Sequence, residues 1–212
     1  MAKTIVIIGA GHGLGQSLAR KFGLRGDHIV LLARNAAHLA DLAADLSREG
    51  IQVQTVVADV ADEASLNQAL TTLQQLPTLD GVIYNAGITA PDSPTLSRQE
   101  LTHHFQVDVA GAYQTAATLR PALARTQGFL LFTGGIAGRQ PFPGFLGLDV
   151  GKAGLRTLTQ VLHHDFQPDD IFVGTVTVGG TITPGTHFDP DLIAERFVET
   201  ALARQAWEVD YQ

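Results

Sequence analysis

The stretch Thr4-Ile-Val-Ile-Ile-Gly-Ala-Gly-His-Gly-Leu-Gly15 decides the fold of this chain. Ile5 to Ile8 form an unbroken β-branched run, which is typical of a strand buried on both faces of a sheet. Alternating glycines follow, and then a helix-like segment from Gln16 to Leu24. Glycines in that place allow a tight turn and a close backbone approach, and the first N–H groups of a helix attract phosphate. The stretch favours a nucleotide-binding loop, although a plain strand-to-helix turn has the same pattern.

Composition excludes several classes of protein. The 212 residues suit one domain, 1–212, and a formal net charge of −7 argues against a nucleic-acid partner. The chain has no cysteine, which is consistent with a reducing compartment. The adjacent histidines, at 103–104 and 163–164, diverge around a helix, so no metal site is expected. Since no apolar run approaches the roughly 18 residues of a membrane span, we expect a cytoplasmic protein without membrane partners.

Strand-like and helix-like segments alternate along the chain. Strands are predicted over 5–8, 28–33, 52–58, 81–84, 129–133, 171–178 and 207–211, with amphipathic helices between them. This rhythm predicts an α/β fold, a doubly wound Rossmann-like parallel sheet of about seven strands with helices on both faces in three α/β/α layers. A ligand crevice is expected at the carboxyl ends of the strands.

Three motifs at matching spacing resemble the short-chain dehydrogenase/reductase family over nearly the whole chain. The T-G-x-x-x-G-x-G loop of that family corresponds to residues 8–15, with Ile8 in place of the threonine. Asp59-Val60 falls where the family's acidic residue contacts adenine, and Asn85-Ala86-Gly87 reproduces its N-A-G turn beside the cofactor ribose. The resemblance implies a nicotinamide dinucleotide as cofactor and a small carbonyl or alcohol as substrate. It also implies a homodimer or homotetramer.

The predicted cofactor site combines this resemblance with residue chemistry. Its members are Gly9, Gly11, His12, Gly13, Leu14, Arg34, Asp59, Val60, Asn85, Ala86, Gly87, Lys152 and Ile182.

Arg34 bears on which nicotinamide cofactor is bound. At the end of the second strand, an acid would accept a hydrogen bond from a free ribose 2′-hydroxyl, whereas a guanidinium would pair with a 2′-phosphate. The tip reads Ala33-Arg34-Asn35 and contains no acid, so the sequence favours NADP(H) over NAD(H). Alternatively, Arg34 is an ordinary solvated arginine. His12 is either a further phosphate contact or a turn residue.

The second half of the chain departs from the family's catalytic pattern. Where the family carries Y-x-x-x-K, this chain has Leu148-Asp149-Val150-Gly151-Lys152. By the resemblance, Lys152 stands at the family's catalytic lysine position. The spacing puts the first and last side chains on one helical face, so Lys152 can still reach the ribose hydroxyls, whereas Leu148 has no proton to donate. Gly135 stands in place of the family's serine, and Asp108 in place of its helical asparagine.

These departures leave three accounts of function open. A general acid typically supplies about 10² to 10⁴ in rate and an oxyanion donor about 10² to 10³, so efficient carbonyl reduction by the family's usual route is not expected. Tyr84, His104, Thr133 and Asp149 are nearby polar groups, each more often a core or surface residue than a catalyst. The protein is then an NADP(H)-dependent oxidoreductase with unusual proton delivery, a non-catalytic NADP(H)-binding sensor or regulatory protein, or an interaction module. The intact cofactor motifs argue against the third account.

Overall fold

A parallel seven-stranded sheet forms the centre of the computed structural model, which describes residues 2–212. The strands are β1 Thr4–Ile8, β2 His28–Ala33, β3 Val53–Val57, β4 Gly81–Tyr84, β5 Phe129–Gly135, β6 Phe172–Val178 and β7 Glu208–Tyr211. Their order is β3-β2-β1-β4-β5-β6-β7, and every neighbouring pair is parallel. The doubly wound α/β prediction is confirmed.

Helices cover both faces of this sheet. They are α1 Leu14–Gly23, α2 Ala36–Arg48, α3 Glu63–Gln74, α4 Arg98–Phe105, α5 Gly111–Thr126, α6 Leu146–Phe166 and α7 Pro190–Ala203. β1 shows why two faces are needed, since Val6 and Ile8 belong to one buried cluster while Ile5 and Ile7 belong to the other. None of the helices within residues 2–212 is long and apolar enough to cross a membrane.

Several element boundaries differ from the sequence predictions, and three of these differences have a structural cause. β5 extends to Gly135 rather than Thr133, because its last residues continue to pair with β6. The sequence Ser97-Arg98-Gln99-Glu100 predicts a capping box that starts one long helix toward Pro121. The capping box is present, but a π-helical turn at Gln106–Ala110 separates α4 from α5. Helical periodicity in the sequence predicts that α6 begins at about Asp149. The helix begins at Leu146 instead, because the carboxylate of Asp92 accepts hydrogen bonds from its first backbone N–H groups.

Candidate active site

A cavity of about 1000 Å³ lies at the carboxyl edge of the sheet. The segments that follow β1 to β6 line it, as expected for a doubly wound sheet. The order of the strands defines two ends of the cavity. The tips of β3 and β2 lie on one side of β1, and the tips of β4, β5 and β6 lie on the other. We call these the β2–β3 end and the β5–β6 end.

The glycine loop joins β1 to α1 in a conformation that needs glycine. Gly9 has φ +82°, and a Cβ at this position would overlap the backbone of Ala86, with the Cα of Ala86 2.6 Å away. Gly13, at the N-terminus of α1, has φ +97° and ψ −131°, and no side chain caps the helix. Because His12, Gly13 and Leu14 line the cavity, the uncapped positive end of α1 faces it.

Asn85 fixes the centre of the cavity wall. Its backbone N–H donates to the carbonyl of Ile8 at 2.8 Å, and its side-chain Nδ2 donates to the carbonyl of Gly9 at 3.0 Å. The hydroxyl of Thr133 donates to Oδ1 of Asn85 at 2.9 Å. One amide side chain therefore connects the ends of β1, β4 and β5, and it holds the glycine loop against the sheet.

The β2–β3 end presents charged and polar groups to the cavity. Arg34 is exposed at the tip of β2, and no ion pair within residues 2–212 involves its guanidinium. Oδ1 of Asp59 accepts a hydrogen bond from the N–H of Ala61 at 2.9 Å, which leaves its other oxygen for a ligand. His12 is also exposed, with Nδ1 3.4 Å from Oε1 of Gln16. This end can accept an anion beside a hydrogen-bonding carboxylate.

Lys152 forms a buried ion pair at the opposite end. Its Nζ lies 3.3 Å from Oδ1 of Asp108 and donates to the carbonyl of Thr133 at 3.1 Å. Gly87 covers the pair so closely that a Cβ there would lie 2.9 Å from Oδ1 of Asp108 and 3.0 Å from Nζ of Lys152. An ammonium has three donors, and within residues 2–212 only the carbonyl of Thr133 accepts a hydrogen bond from this one, so at least one donor remains for a ligand in the cavity.

Leu148 and Gly135 line the cavity near Lys152. Leu148 lies one helical turn before Lys152 on α6, and Gly135 ends β5. Gly135 has extended backbone (φ −152°, ψ 151°), and a Cβ there would lie 3.7 Å from Cγ of Lys152, an ordinary contact. The site therefore has room for a small side chain at position 135.

Of the four polar groups considered as substitutes, only Thr133 lines the cavity. The hydroxyl of Tyr84 donates to the carbonyl of Val107 at 2.6 Å, and burial raises its pKa well above the usual range for tyrosine. Asp149 is buried and accepts a hydrogen bond from the N–H of Phe142 at 2.8 Å. His104 packs against Gly147 of α6, and its Nδ1 has no partner among the described residues.

All of the predicted cofactor residues except Gly11 line the cavity. Gly11 lies in the loop but outside the lining, with nothing within 4 Å of a Cβ built on it. The sequence reasoning missed the aromatic side chains of Phe142 and Phe145, which also line the cavity. Their position in a glycine- and proline-rich loop directly after a predicted strand was the signal available for finding them.

Comparisons with known proteins identify the family. Residues 3–191 match the short chain dehydrogenase family, and the chain belongs to it. Sulfoacetaldehyde reductase 2 of Chromohalobacter salexigens is 27% identical over 84% of this chain and 73% of its own length.

Two solved structures share the fold. An alcohol dehydrogenase from Thermococcus sibiricus, complexed with 5-hydroxy-NADP, superposes with a TM-score of 0.87 at 25% identity, over 99% of this chain and 95% of that one. A short-chain dehydrogenase from Sphingobium yanoikuyae in complex with NADPH gives 0.86 at 24% identity, over 99% and 86%. This protein is therefore an oxidoreductase-like chain of the short-chain dehydrogenase family.

Proposed function

We propose that the protein is an NADP(H)-dependent oxidoreductase whose site lacks the family's usual proton donor. The observation that carries the proposal is that one cavity collects the glycine loop, Arg34, Asp59, Asn85 and Lys152. Residues 1–212 would then act as a single dinucleotide-binding domain. When bound, NADP(H) supplies or accepts a hydride, and the residues of this chain position it and the substrate.

The residues that line the cavity fit a nicotinamide dinucleotide. Gly9 and Gly13 keep the loop free of side chains beside the N-terminus of α1, where a pyrophosphate is stabilised by backbone N–H groups. Asp59 has a carboxylate oxygen for the adenine, and Lys152 retains one donor for the ribose hydroxyls. In this proposal Lys152 is the catalytic residue, and Val60, Ala86, Gly87 and Ile182 complete the cofactor contacts.

Arg34 supports NADP(H) over NAD(H). The cavity wall at the tip of β2 carries this guanidinium and no carboxylate, so a 2′-phosphate would find a bidentate partner there. A free 2′-hydroxyl would find no acceptor at the same place. We expect the preference to come mainly from this residue, with His12 in a secondary role.

Calorimetry with NADPH and NADH tests the cofactor assignment. We expect tighter binding of NADPH, and we expect Arg34→Gln to weaken it about 10- to 100-fold while the affinity for NADH stays the same. Arg25→Gln is the matched control, because Arg25 is exposed and lies outside the cavity. If neither nucleotide binds at millimolar concentration, the proposal is wrong.

We propose that Leu148 and Gly135 occupy the places of the family's tyrosine and serine. In this arrangement neither position supplies a hydroxyl to protonate or polarise an ordinary carbonyl, so we expect proton delivery from water or the substrate itself. The double change Gly135→Ser with Leu148→Tyr is expected to create reduction of simple ketones, because the extended backbone and open space at residue 135 accept a serine. If the double variant binds NADPH but reduces no ketone, the placement of Gly135 and Leu148 at the family's serine and tyrosine positions is wrong. Binding without turnover by the unchanged protein on any carbonyl or alcohol would instead favour a sensor or regulatory role.

A cytoplasmic homodimer or homotetramer completes the proposal. Apolar side chains are exposed on α4 and α5 at Phe105 and Tyr113, and on α6 at Leu146, Val150 and Val161. Burial of these side chains between subunits would remove them from water. Sedimentation analysis measures the assembly state directly.

A further inference from the structure

The β5–β6 end of the cavity contains one ionisable side chain. Among the lining residues, the ionisable side chains are His12, Arg34, Asp59 and Lys152, and the first three belong to the glycine loop and the tips of β2 and β3. Lys152 is held by Asp108 and by the carbonyl of Thr133, and loss of its proton would leave the buried carboxylate of Asp108 without a counter-charge. A substrate at this end therefore meets no carboxyl, imidazole or phenol that could give it a proton.

The same end is apolar and partly aromatic. Ile136, Phe142, Phe145, Leu148 and Ile182 line it. The hydroxyls of Thr89 and Thr181 are also in the lining and are exposed, but a threonine hydroxyl does not ionise near neutral pH. The wall thus favours an apolar ligand that needs few hydrogen bonds.

Asp149 holds the two phenylalanines in place. Its buried carboxylate accepts from the N–H of Phe142 at 2.8 Å, and its own N–H donates to the carbonyl of Phe145 at 2.8 Å. The N–H of Phe145 donates to the carbonyl of Phe142 at 3.1 Å. Despite this anchoring, the side chain of Phe142 is 43% exposed, so an aromatic face remains available at the cavity. Planar rings pack favourably on such a face.

From this wall we propose that the substrate is a quinone, a planar conjugated diketone, bound at the β5–β6 end against Phe142 and Phe145. The inference rests on the proposed NADP(H) function and specifies its substrate class. Reduction of a simple ketone yields an alkoxide, which is about as basic as hydroxide, and water has a pKa of about 15.7. Reduction of a quinone yields a phenolate-type anion, and a phenol has a pKa of about 10. A site whose only acid is an ion-paired ammonium discriminates in favour of the second product.

The reaction balances without a protein acid. The quinone oxygen takes up a hydride, that is a proton with two electrons, from the reduced nicotinamide dinucleotide, and a new O–H bond forms as the C–H bond of the donor breaks. The ring becomes aromatic, and the negative charge rests on the second oxygen. That oxygen then takes one proton from water to give the hydroquinone, and the nucleotide is left oxidised.

A cationic acceptor is a second class that would need no protein acid, since an iminium becomes a neutral amine on taking up hydride. The charge at this end of the cavity argues against it. Lys152 places an ammonium in the wall, and its partner Asp108 is fully buried behind it. An ammonium at the wall opposes a cationic substrate and stabilises the developing phenolate.

Two measurements on the full chain test the inference. The first is calorimetry of 1,4-naphthoquinone with protein saturated with NADP+, where no turnover occurs. We expect binding that Phe142→Ala weakens about 2- to 10-fold, whereas the affinity for NADPH stays the same. Leu24→Ala is the control, because Leu24 is 63% exposed and lies outside the cavity. Equal affinities in these two variants would overturn the placement of the ligand.

The second measurement compares NADPH oxidation by 1,4-naphthoquinone and by α-tetralone, which keeps the bicyclic frame but has one carbonyl. After subtraction of the rate without protein, we expect the quinone to react at least about 100-fold faster. This factor is the lower end of the rate enhancement that a general acid typically supplies. Comparable rates for the two compounds would show that the chain has a proton donor, and the inference would fail. It would also fail if NADPH and the quinone both bind and no oxidation follows. Failure of NADPH to bind at all would instead contradict the proposed function.

Discussion

The ammonium of Lys152 lies 3.3 Å from Oδ1 of Asp108, and neither side chain is more than 7% exposed. The pair connects α6 to the π-helical turn at Gln106–Ala110, and the carbonyl of Thr133 adds a contact from β5. A buried ion pair gains little over an apolar replacement, but loss of one partner leaves an uncompensated charge away from water. A substitution that removes the charge of either Lys152 or Asp108 alone should therefore destabilise the protein.

Lys152→Met is expected to lower the free energy of unfolding by about 3 to 5 kcal/mol, because the carboxylate of Asp108 would stay buried without its partner. The double change Asp108→Asn with Lys152→Met is expected to recover at least half of that loss, since it removes the orphaned charge. Urea denaturation of the protein without nucleotide measures both values.

The exposed pair between Arg196 and Glu199 supplies the control for this experiment. Its atoms are 3.1 Å apart, but its side chains are 42% and 56% exposed. Arg196→Met should change the free energy of unfolding by no more than about 1 kcal/mol. A Lys152→Met effect of that small size would mean that water reaches the buried pair.

Alanine substitutions at Gly9 and Gly11, in the same loop, should have very different effects on stability. Gly9→Ala would require a left-handed backbone for alanine and an overlap with the backbone of Ala86, so we expect a loss of several kcal/mol or no soluble protein. Gly11→Ala meets no neighbour and should leave stability within about 1 kcal/mol. The melting temperatures of the two variants check this contrast.

The affinity of the Gly11→Ala variant for NADPH tests the prediction that Gly11 is a cofactor-binding residue. If the backbone at Gly11 approaches the pyrophosphate, an added methyl group should weaken binding by about 10-fold or more without a change in stability. An unchanged affinity would show that Gly11 shapes the loop only, in keeping with its place outside the cavity lining.

The inner strands of the sheet were readable from the sequence because each is a short, mostly apolar run between polar or glycine-rich segments. His28–Ala33 and Gly81–Tyr84 match their predicted bounds for this reason. The α6 boundary was not readable, because the residue that caps it, Asp92, lies more than fifty residues earlier in the chain. Helix propensity near Leu146 carries no information about such a distant carboxylate.

The site was predictable where a residue acts through its own backbone or at the tip of its own strand, as Gly9, Gly13 and Arg34 do. The arrangement of site residues was not predictable where it depends on how two helical segments pack against each other. Lys152 and Asp108 were each singled out from the family pattern, but their ion pair depends on the packing of α6 against the π-helical turn. A π-helical turn rotates the side chains that follow it relative to a regular helix, and a 3.6-residue periodicity does not reveal it.

Asp92 is expected to stabilise the loop between β4 and α4 as well as α6. Its carboxylate accepts from the N–H groups of Leu146 and Gly147 at 2.6 and 3.0 Å, and its own N–H donates to the carbonyl of Gly144 at 2.8 Å. Asp92→Ala should lower the free energy of unfolding by about 1 to 2 kcal/mol, the usual cost of a lost helix cap. Limited proteolysis should cut this loop faster in the variant. Asp41→Ala, an exposed change in the middle of α2, should affect neither measurement.

Glu208 should make stability depend on pH in a predictable direction. Burial alone would raise the pKa of this carboxyl, but hydrogen bonds from Arg156, Arg139 and Thr177 outweigh burial and hold the pKa below its ordinary value of 4.5. A carboxyl with a lowered pKa in the folded state stabilises the fold fully above the pKa of the unfolded chain, and this contribution is lost as the pH falls through the folded value.

Glu208→Gln is accordingly expected to lower the free energy of unfolding by about 1.5 to 3 kcal/mol at pH 7, the usual range for hydrogen bonds to a charged group. The difference between this variant and the unchanged protein should remain constant down to about pH 5 and shrink at lower pH, because the natural carboxyl then becomes neutral as well. Urea denaturation at pH 7, 5 and 3 follows the difference. Glu199→Gln, in a largely exposed pair, should show little effect at any of these values. A Glu208→Gln difference that persisted undiminished at the lowest pH would show that the loss comes from packing at the edge strand β7 and not from charge.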